Sequence, residues 1–150
     1  PDFEGSSRSL ERVLAARPDV LGHNVETVER LYREVRPGAG YGRSLALLSR
    51  ASSASPRPLV KSSLMLGMGE TRSETLRALS DMLESGVDIV TLGQYLRPSK
   101  DHRPVERFLP PEEFEELGES CLDMGFRWAS AGPFVRSSYR AGEAVTALTE

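Results

Sequence analysis

Residues 60–95 read VKSSLMLGMGETRSETLRALSDMLESGVDIVTLGQY. Val60 to Gly67 is an apolar run closed by glycine, expected as a strand buried on both faces. Thr71 and Glu74 form a capping box, in which the Thr71 hydroxyl accepts from an early helix amide and Glu74 reaches back. The helix it opens carries Leu76, Leu79, Met82 and Leu83 on one face and ends at Gly86. Ile89 to Tyr95 is a second core strand. Strand, helix and strand in succession predict a right-handed βαβ unit and a parallel sheet.

Toward the N-terminus the alternation continues. Asp2 to Gly5 reads as a loop leaving a strand that lies upstream. Ser6 to Arg17 reads as a helix with Leu10, Val13 and Leu14 on one face, stopped by Pro18. Val20 and Leu21 predict a short strand ending at His23-Asn24. Val25, Val28, Leu31, Tyr32 and Val35 form a helical stripe ended by Pro37-Gly38. A glycine-rich turn, Gly38 to Gly42, leads to a helix over Ser44 to Arg50, and Ser52 to Pro58 is a surface loop. Toward the C-terminus a long loop, Arg97 to Leu109, precedes a helix opened by Pro111 with Glu112 and Glu113 in its first turn. Phe114, Leu117, Cys121 and Leu122 form its inner face, and Gly125 caps it.

The expectation is one α/β domain. The polar motifs fall just after strands, on the edge that carries the site in barrels and doubly wound sheets. About three core strands cannot close a barrel, so a strand edge and apolar faces await another segment or a partner chain.

The chain has 150 residues, 39% hydrophobic and 27% charged, with a net charge of −3. No basic surplus argues for nucleic acid, and no apolar run reaches membrane-spanning length. Cys121 is the single cysteine, which excludes an internal disulfide and a cysteine-rich metal site. It suits a reducing compartment, and the cytoplasm is the expected location. On a helix face between Leu117 and Leu122 it reads as a small buried apolar residue.

Gly67-Met68-Gly69-Glu70-Thr71 links a strand to a helix, where glycines allow close backbone approach and helix amides offer a polar cradle. A tight βα turn with a capped helix explains the same residues. His23, Asn24 and Glu26 cluster at a strand end, where Asn24 can bond donors and acceptors and Glu26 can hold a diol or an ammonium. Lys61 opens a buried strand. Arg43 is either a ligand contact or solvated charge. Gln94 and Tyr95 leave the second strand as pocket candidates, although Tyr95 also suits the core. Arg97, Lys100, His102, Arg103 and Arg107 make a locally basic loop, either solvated or steering an acidic partner. Gly132-Pro133-Phe134-Val135-Arg136-Ser137-Ser138-Tyr139 puts two hydroxyls beside a fixed cation and an aromatic ring, and also reads as a serine-rich turn after a short strand.

These blocks together resemble the lipoyl synthases, radical S-adenosylmethionine enzymes. The resemblance is carried by His23-Asn24-x-Glu26, Lys61 to Glu70, Gly93-Gln94-Tyr95-Leu96-x-Pro98-Ser99 and Gly132 to Tyr139, in the family's order and at similar spacing. It runs from Pro1 to Ala141 and covers about the C-terminal half of the family's catalytic domain. It implies a partial (β/α) TIM-type barrel represented by its later βα units, with the Arg136-Ser137-Ser138-Tyr139 segment near its end.

The resemblance also implies chemistry: radical-mediated insertion of two sulfur atoms into an octanoyl group on a lipoyl carrier protein or domain. One 4Fe-4S cluster cleaves S-adenosylmethionine reductively to a 5′-deoxyadenosyl radical, and an auxiliary cluster donates sulfur. The auxiliary cluster takes an unusual serine oxygen ligand, expected to be Ser138 with Ser137 as the alternate. Ser138 and Arg136 are the expected catalytic residues. Asn24, Glu26, Arg43, Lys61, Gly67, Glu70, Gln94 and Tyr95 are the expected cofactor contacts. Both cysteine triads that hold the clusters belong to the family's N-terminal half and are missing here, so the chain alone is expected to be inactive. The alternatives are a non-catalytic (β/α) module that docks a carrier or partner subunit, and an unrelated hydrolytic or phosphate-handling barrel half.

Overall fold

The computed structural model describes residues 2–139 and 141–149. Four parallel strands stand in chain order: β1 (Val20–Gly22), β2 (Leu59–Leu66), β3 (Ile89–Gln94) and β4 (Trp128–Gly132). The helix α1 (Ser7–Ala15) precedes β1; between the strands run α2 (Tyr32–Val35), α3 (Tyr41–Ser52), α4 (Arg72–Glu84) and α5 (Pro111–Met124), and α6 (Ala141–Thr149) follows β4. Parallel neighbours joined by helices are the βα units expected of a partial barrel.

The two faces of the sheet differ. Val60, Leu64, Leu66, Val90 and Leu92 pack into the main core with Leu48, Leu79, Met82 and Phe114 of α3, α4 and α5. On the other face Leu59 and Ile89 join Val20, Trp128, Ala144 and Leu148 in a smaller cluster, so α6 lies across that end. Strand alternation continues this second face through Lys61, Ser63 and Met65. The register sets Lys61 beside Gly22 and Ile89, Ser63 beside Thr91, and Met65 beside Gly93. The inner wall thus changes from apolar at its amino end to polar and glycine-bearing at its carboxyl end.

The capping box forms as read: Thr71 Oγ1 accepts from the Glu74 amide, and the Glu74 carboxylate accepts from the Thr71 amide. Gly125 ends α5 at φ +114°, a left-handed position suited to glycine. Cys121 is fully buried, and burial pushes its thiol up to about 12.

Three local differences have physical causes. The stripe from Val25 to Val35 is helical only from Glu29 onward. Before that the chain runs beside β2: the Val25 amide donates to Ser62 Oγ at 3.2 Å, and Glu26 exchanges backbone bonds with Ser63 and Met65. The short strand read before the serine-rich turn is β4, which joins the sheet as a fourth strand beyond the three core strands expected; it is half-buried along its length. The helix α6 begins after the serine-bearing turn and takes its place from Ala144 and Leu148 against the sheet.

Candidate functional site

At the carboxyl end of the inner wall lie two adjoining cavities. One, of about 310 Å³, is lined by Gly22, His23, Asn24, Glu26, Arg36, Lys61, Ser137 and Ser138. The other, of about 210 Å³, shares Asn24, Glu26 and Ser137 and adds Ser63, Met65, Gly93, Gln94, Leu96 and Arg136 among others. Larger hollows of about 610 and 420 Å³ lie away from this edge, along α1 and the loop near Pro56, and none of the expected contacts lines them.

The β1 exit is held by backbone strain. Glu26 has φ +75°, a conformation that costs a non-glycine residue about 1–2 kcal/mol. Pairing with Leu64 of β2 enforces it. The result places the Glu26 carboxylate on the cavity wall, where it accepts from Asn24 Nδ2 at 3.1 Å. Arg36 supports the same segment: its Nη1 donates to the Asn24 carbonyl at 3.0 Å and to Tyr32 Oη at 2.7 Å. Its guanidinium carbon stands 5.4 Å from the Tyr32 ring centre, and Tyr32 Oη lies 2.6 Å from Ser44 Oγ.

Two buried titratable side chains face this cavity without partners. His23 is 5% exposed and its Nε2 has no hydrogen bond. Burial, with the Arg36 charge adding to it, lowers His23 to about 4, so the ring is neutral. Lys61 is 6% exposed. Among the described residues its ammonium makes no hydrogen bond or ion pair, and burial lowers its pKa.

The serine-bearing turn leaves β4 and folds back over β3. Arg136 Nη1 donates to the Val135 carbonyl at 2.8 Å, which keeps the guanidinium close to its own turn. The Ser137 and Ser138 hydroxyls are exposed on the cavity and have no hydrogen-bond partner among the described residues.

The structure therefore brings Asn24, Glu26, Lys61, Gln94, Arg136, Ser137 and Ser138 to one edge. It sets the other expected contacts elsewhere. Arg43 Nε donates to Asp2 at 2.5 Å and Nη2 to the Gly38 carbonyl at 2.7 Å, away from both cavities. Glu70 accepts from the Gly67 and Met68 amides at 2.6 and 2.9 Å, so the cradle after β2 is filled by the chain's own carboxylate. Tyr95 is buried, and its hydroxyl donates to the Arg103 carbonyl at 2.8 Å. Gln94 spends its side-chain amide on the Tyr95, Arg107 and Leu109 backbone. The basic loop is largely consumed internally: Arg103 pairs with Glu34, Arg107 with Glu113, and Arg97 bonds the carbonyls of Lys100 and His102. Arg36 is the cavity residue that reading the sequence missed. Nothing in a polar residue before Pro37-Gly38 signals its reach back to Asn24.

Among the described residues no three His, Cys, Asp or Glu side chains are grouped to hold a metal ion. No described helix is long and apolar enough to cross a membrane.

No family model matches the chain. Curated relatives do. It is 53% identical to the lipoyl synthase of Koribacter versatilis over 143 residues, 95% of this chain and 47% of that protein. It is 53% identical to that of Aliivibrio fischeri over 142 residues, 94% of the chain and 44% of the relative. With the lipoyl synthase of Methanocella arvoryzae it shares 56% identity over 144 residues, 95% of the chain and 49% of the relative. The chain spans about half the length of the curated relatives it matches. Identity that runs through nearly all of its residues makes the chain similar to the lipoyl synthases, over about the C-terminal half of their length.

Proposed function

We propose that this chain supplies the later βα units of a lipoyl synthase barrel, which inserts two sulfur atoms into a protein-bound octanoyl group. The observation that carries the reading is the meeting of Ser137 and Ser138 with Asn24, Glu26 and Lys61 around one cavity. The β4 turn brings the hydroxyls there from more than a hundred residues downstream of β1.

The donor set fits one ligand position of a 4Fe-4S cluster and no more. Iron–sulfur clusters are ordinarily held by several cysteine thiolates. Here Cys121 is buried on the helix side of the sheet, and no other donor group is assembled among the described residues. Two free, exposed hydroxyls suit a single oxygen ligand, with Ser138 as the primary candidate and Ser137 as the alternate. The remaining ligands are the thiolates of an N-terminal half carrying both cysteine triads. When bound, the clusters and S-adenosylmethionine supply the radical and sulfur chemistry.

The chain's own residues bind and orient. Glu26 and Asn24, locked to each other, offer a carboxylate and an amide to the polar groups of S-adenosylmethionine. Arg136 holds a positive charge over the serine turn. Gln94 lines the second cavity and ties Arg107 and Leu109 to β3. Arg43, Gly67, Glu70 and Tyr95 act on the site only through the fold, given their partners. The octanoylated carrier is the proposed macromolecular partner, and the isolated chain is inactive because it holds neither cluster.

The test is coexpression with a matching N-terminal half and anaerobic iron–sulfur reconstitution. Iron content and lipoyl formation should require both polypeptides, and Ser138→Ala should lower the iron retained. Lipoyl formation by this chain alone, or unchanged iron content and activity in the Ser137→Ala/Ser138→Ala variant, would overturn the reading. An unchanged Ser137→Ala/Ser138→Ala variant that still bound the carrier would support a docking module instead.

A further inference from the structure

Six large apolar side chains are exposed among the described residues. Four of them, Leu96, Phe108, Phe134 and Tyr139, stand on the two segments that leave β3 and β4 at the carboxyl edge. Phe134 is 85% exposed, Phe108 68% and Leu96 53%. Single scattered hydrophobics are ordinary on a protein surface, but a group gathered in one place marks an interaction site. This group stands around the cavity of about 210 Å³: Leu96, Val135 and Arg136 line it. Gln94, also in its wall, bonds the Arg107 carbonyl and the Leu109 amide and so holds the backbone on both sides of Phe108.

The loop after β3 is exposed yet firmly tied. The Glu106 and Arg107 amides donate to the Gly67 carbonyl at 2.8 and 3.2 Å, and Arg103 Nε donates to the Met68 carbonyl at 2.7 Å. Ser99 Oγ lies 2.9 Å from His102 Nδ1. A surface fixed in advance gives up little conformational freedom when a partner docks. Its charges also select. Arg103 and Arg107 have carboxylate partners. Among the described residues Arg97 and Arg136 bond only backbone carbonyls, and the Lys100 ammonium has no partner. Glu106 lies 3.8 Å from Arg103, which leaves Asp101 as the one carboxylate of the two segments without an ion pair. A chain of net charge −3 thus gathers three unpaired cations against one unpaired anion at this rim. Such a rim attracts an acidic face and repels a second copy of itself across a two-fold contact.

We propose that Leu96, Phe108 and Phe134, with Arg97 and Lys100, form the docking surface for the octanoylated carrier, and that the carrier meets it with an acidic face around its modified lysine. The choice of occupant rests on the lipoyl synthase reading above. An octanoyl group borne on a protein reaches the cavity only when the surface that carries it meets the cavity's rim. The half that the relatives carry upstream joins ahead of α1 and β1, and β1 is the edge of the sheet farthest from β4, whose turn bears Phe134.

The test is hydroxyl-radical footprinting of the two-part assembly with and without an octanoylated lipoyl carrier domain, paired with steady-state assays. Leu96, Phe108 and Phe134 should react freely in the assembly alone and become protected when the carrier domain is added. Lys100→Glu should raise KM for the carrier domain severalfold and weaken its dependence on salt. Phe108→Ser should raise that KM about tenfold. Neither variant should change lipoyl formation from a short octanoyl-lysyl peptide, which lacks a docking face. Iron content reports whether each variant keeps its fold, and if Phe108→Ser does not, Lys100→Glu decides. Protection already present without the carrier would assign the surface to the upstream half, or to a second copy if it grows with concentration, and either result overturns the inference. Unchanged KM in the folded variants overturns it too. Lipoyl formation from the peptide with no protection by the carrier domain sinks this inference alone, whereas no lipoyl formation from either substrate sinks the reading beneath it.

Discussion

A Cβ placed on Gly93 would stand 2.2 Å from the carbonyl oxygen of Val135. The contact brings the middle of the sheet's inner wall against the turn that carries Ser137 and Ser138. Backbone lies on backbone there, and no side chain can swing aside to make room. Gly93 is therefore the seat on which the serine turn rests, and its neighbour in the register, Gly132, opens that turn.

Gly93→Ala should displace residues 133–138 while leaving the parallel sheet in place. Overpacking of this kind costs about 1–3 kcal/mol. Urea denaturation should show that loss, and the reconstituted two-part assembly should retain less iron. Wild-type stability with unchanged iron content would show that the turn does not depend on this contact.

Glu26→Asn should keep stability or raise it slightly, because Asn tolerates the left-handed conformation better than Glu does. Binding of S-adenosylmethionine to the assembly should fall, because the shorter amide carries no charge to the cavity. Calorimetry and thermal denaturation on the same variant measure the two effects separately.

Glu70→Ala should destabilise the chain by about 1–3 kcal/mol by stripping the Gly67 and Met68 amides of their acceptor. Glu70→Gln should lose less, since its carbonyl oxygen still accepts one bond. Equal loss in both variants would point to the carboxylate's charge rather than its bonds.

His23 makes stability depend on pH. Its folded pKa lies at about 4, below the ordinary 6.5. The unfolded chain then binds a proton that the folded chain refuses between these values, and stability falls as pH drops through that window. The full effect is at most about 3 kcal/mol. His23→Gln should flatten the slope between pH 6.5 and about 4 in denaturation curves taken across that range. An unchanged slope would assign it to other groups.

Much of the architecture was legible because its signals are local. The apolar run through β2, the Thr71 and Glu74 cap, the Gly86 and Gly125 stops and the β3 run each depend on residues close in the chain. The short strand before the serine-rich turn was legible, but its place as a fourth sheet strand and the helix α6 were not, since Ala129, Ala131 and Ala144 gain their meaning only from what they pack against. Glu26 shows the same limit: its neighbours follow helical spacing, yet pairing with β2 pulled the segment into an extended path.

The site divides along the same line. The resemblance to lipoyl synthases marked Asn24, Glu26, Lys61 and the two serines, and their placing after strands, or for Lys61 at the start of one, supported it, because polar groups just after strands in an alternating chain collect at one edge of a parallel sheet. Which of the marked residues truly face that edge was settled by long-range contact. Asp2 claims Arg43, the Arg103 carbonyl claims the Tyr95 hydroxyl, and Glu70 turns inward to its own loop. Arg36 enters the wall through a bond to Asn24, twelve residues back in sequence. Strand order and periodicity are properties of short windows of chain, so sequence determines them. The partner a long polar side chain chooses depends on groups brought close only when the sheet assembles, and tertiary structure alone decides it.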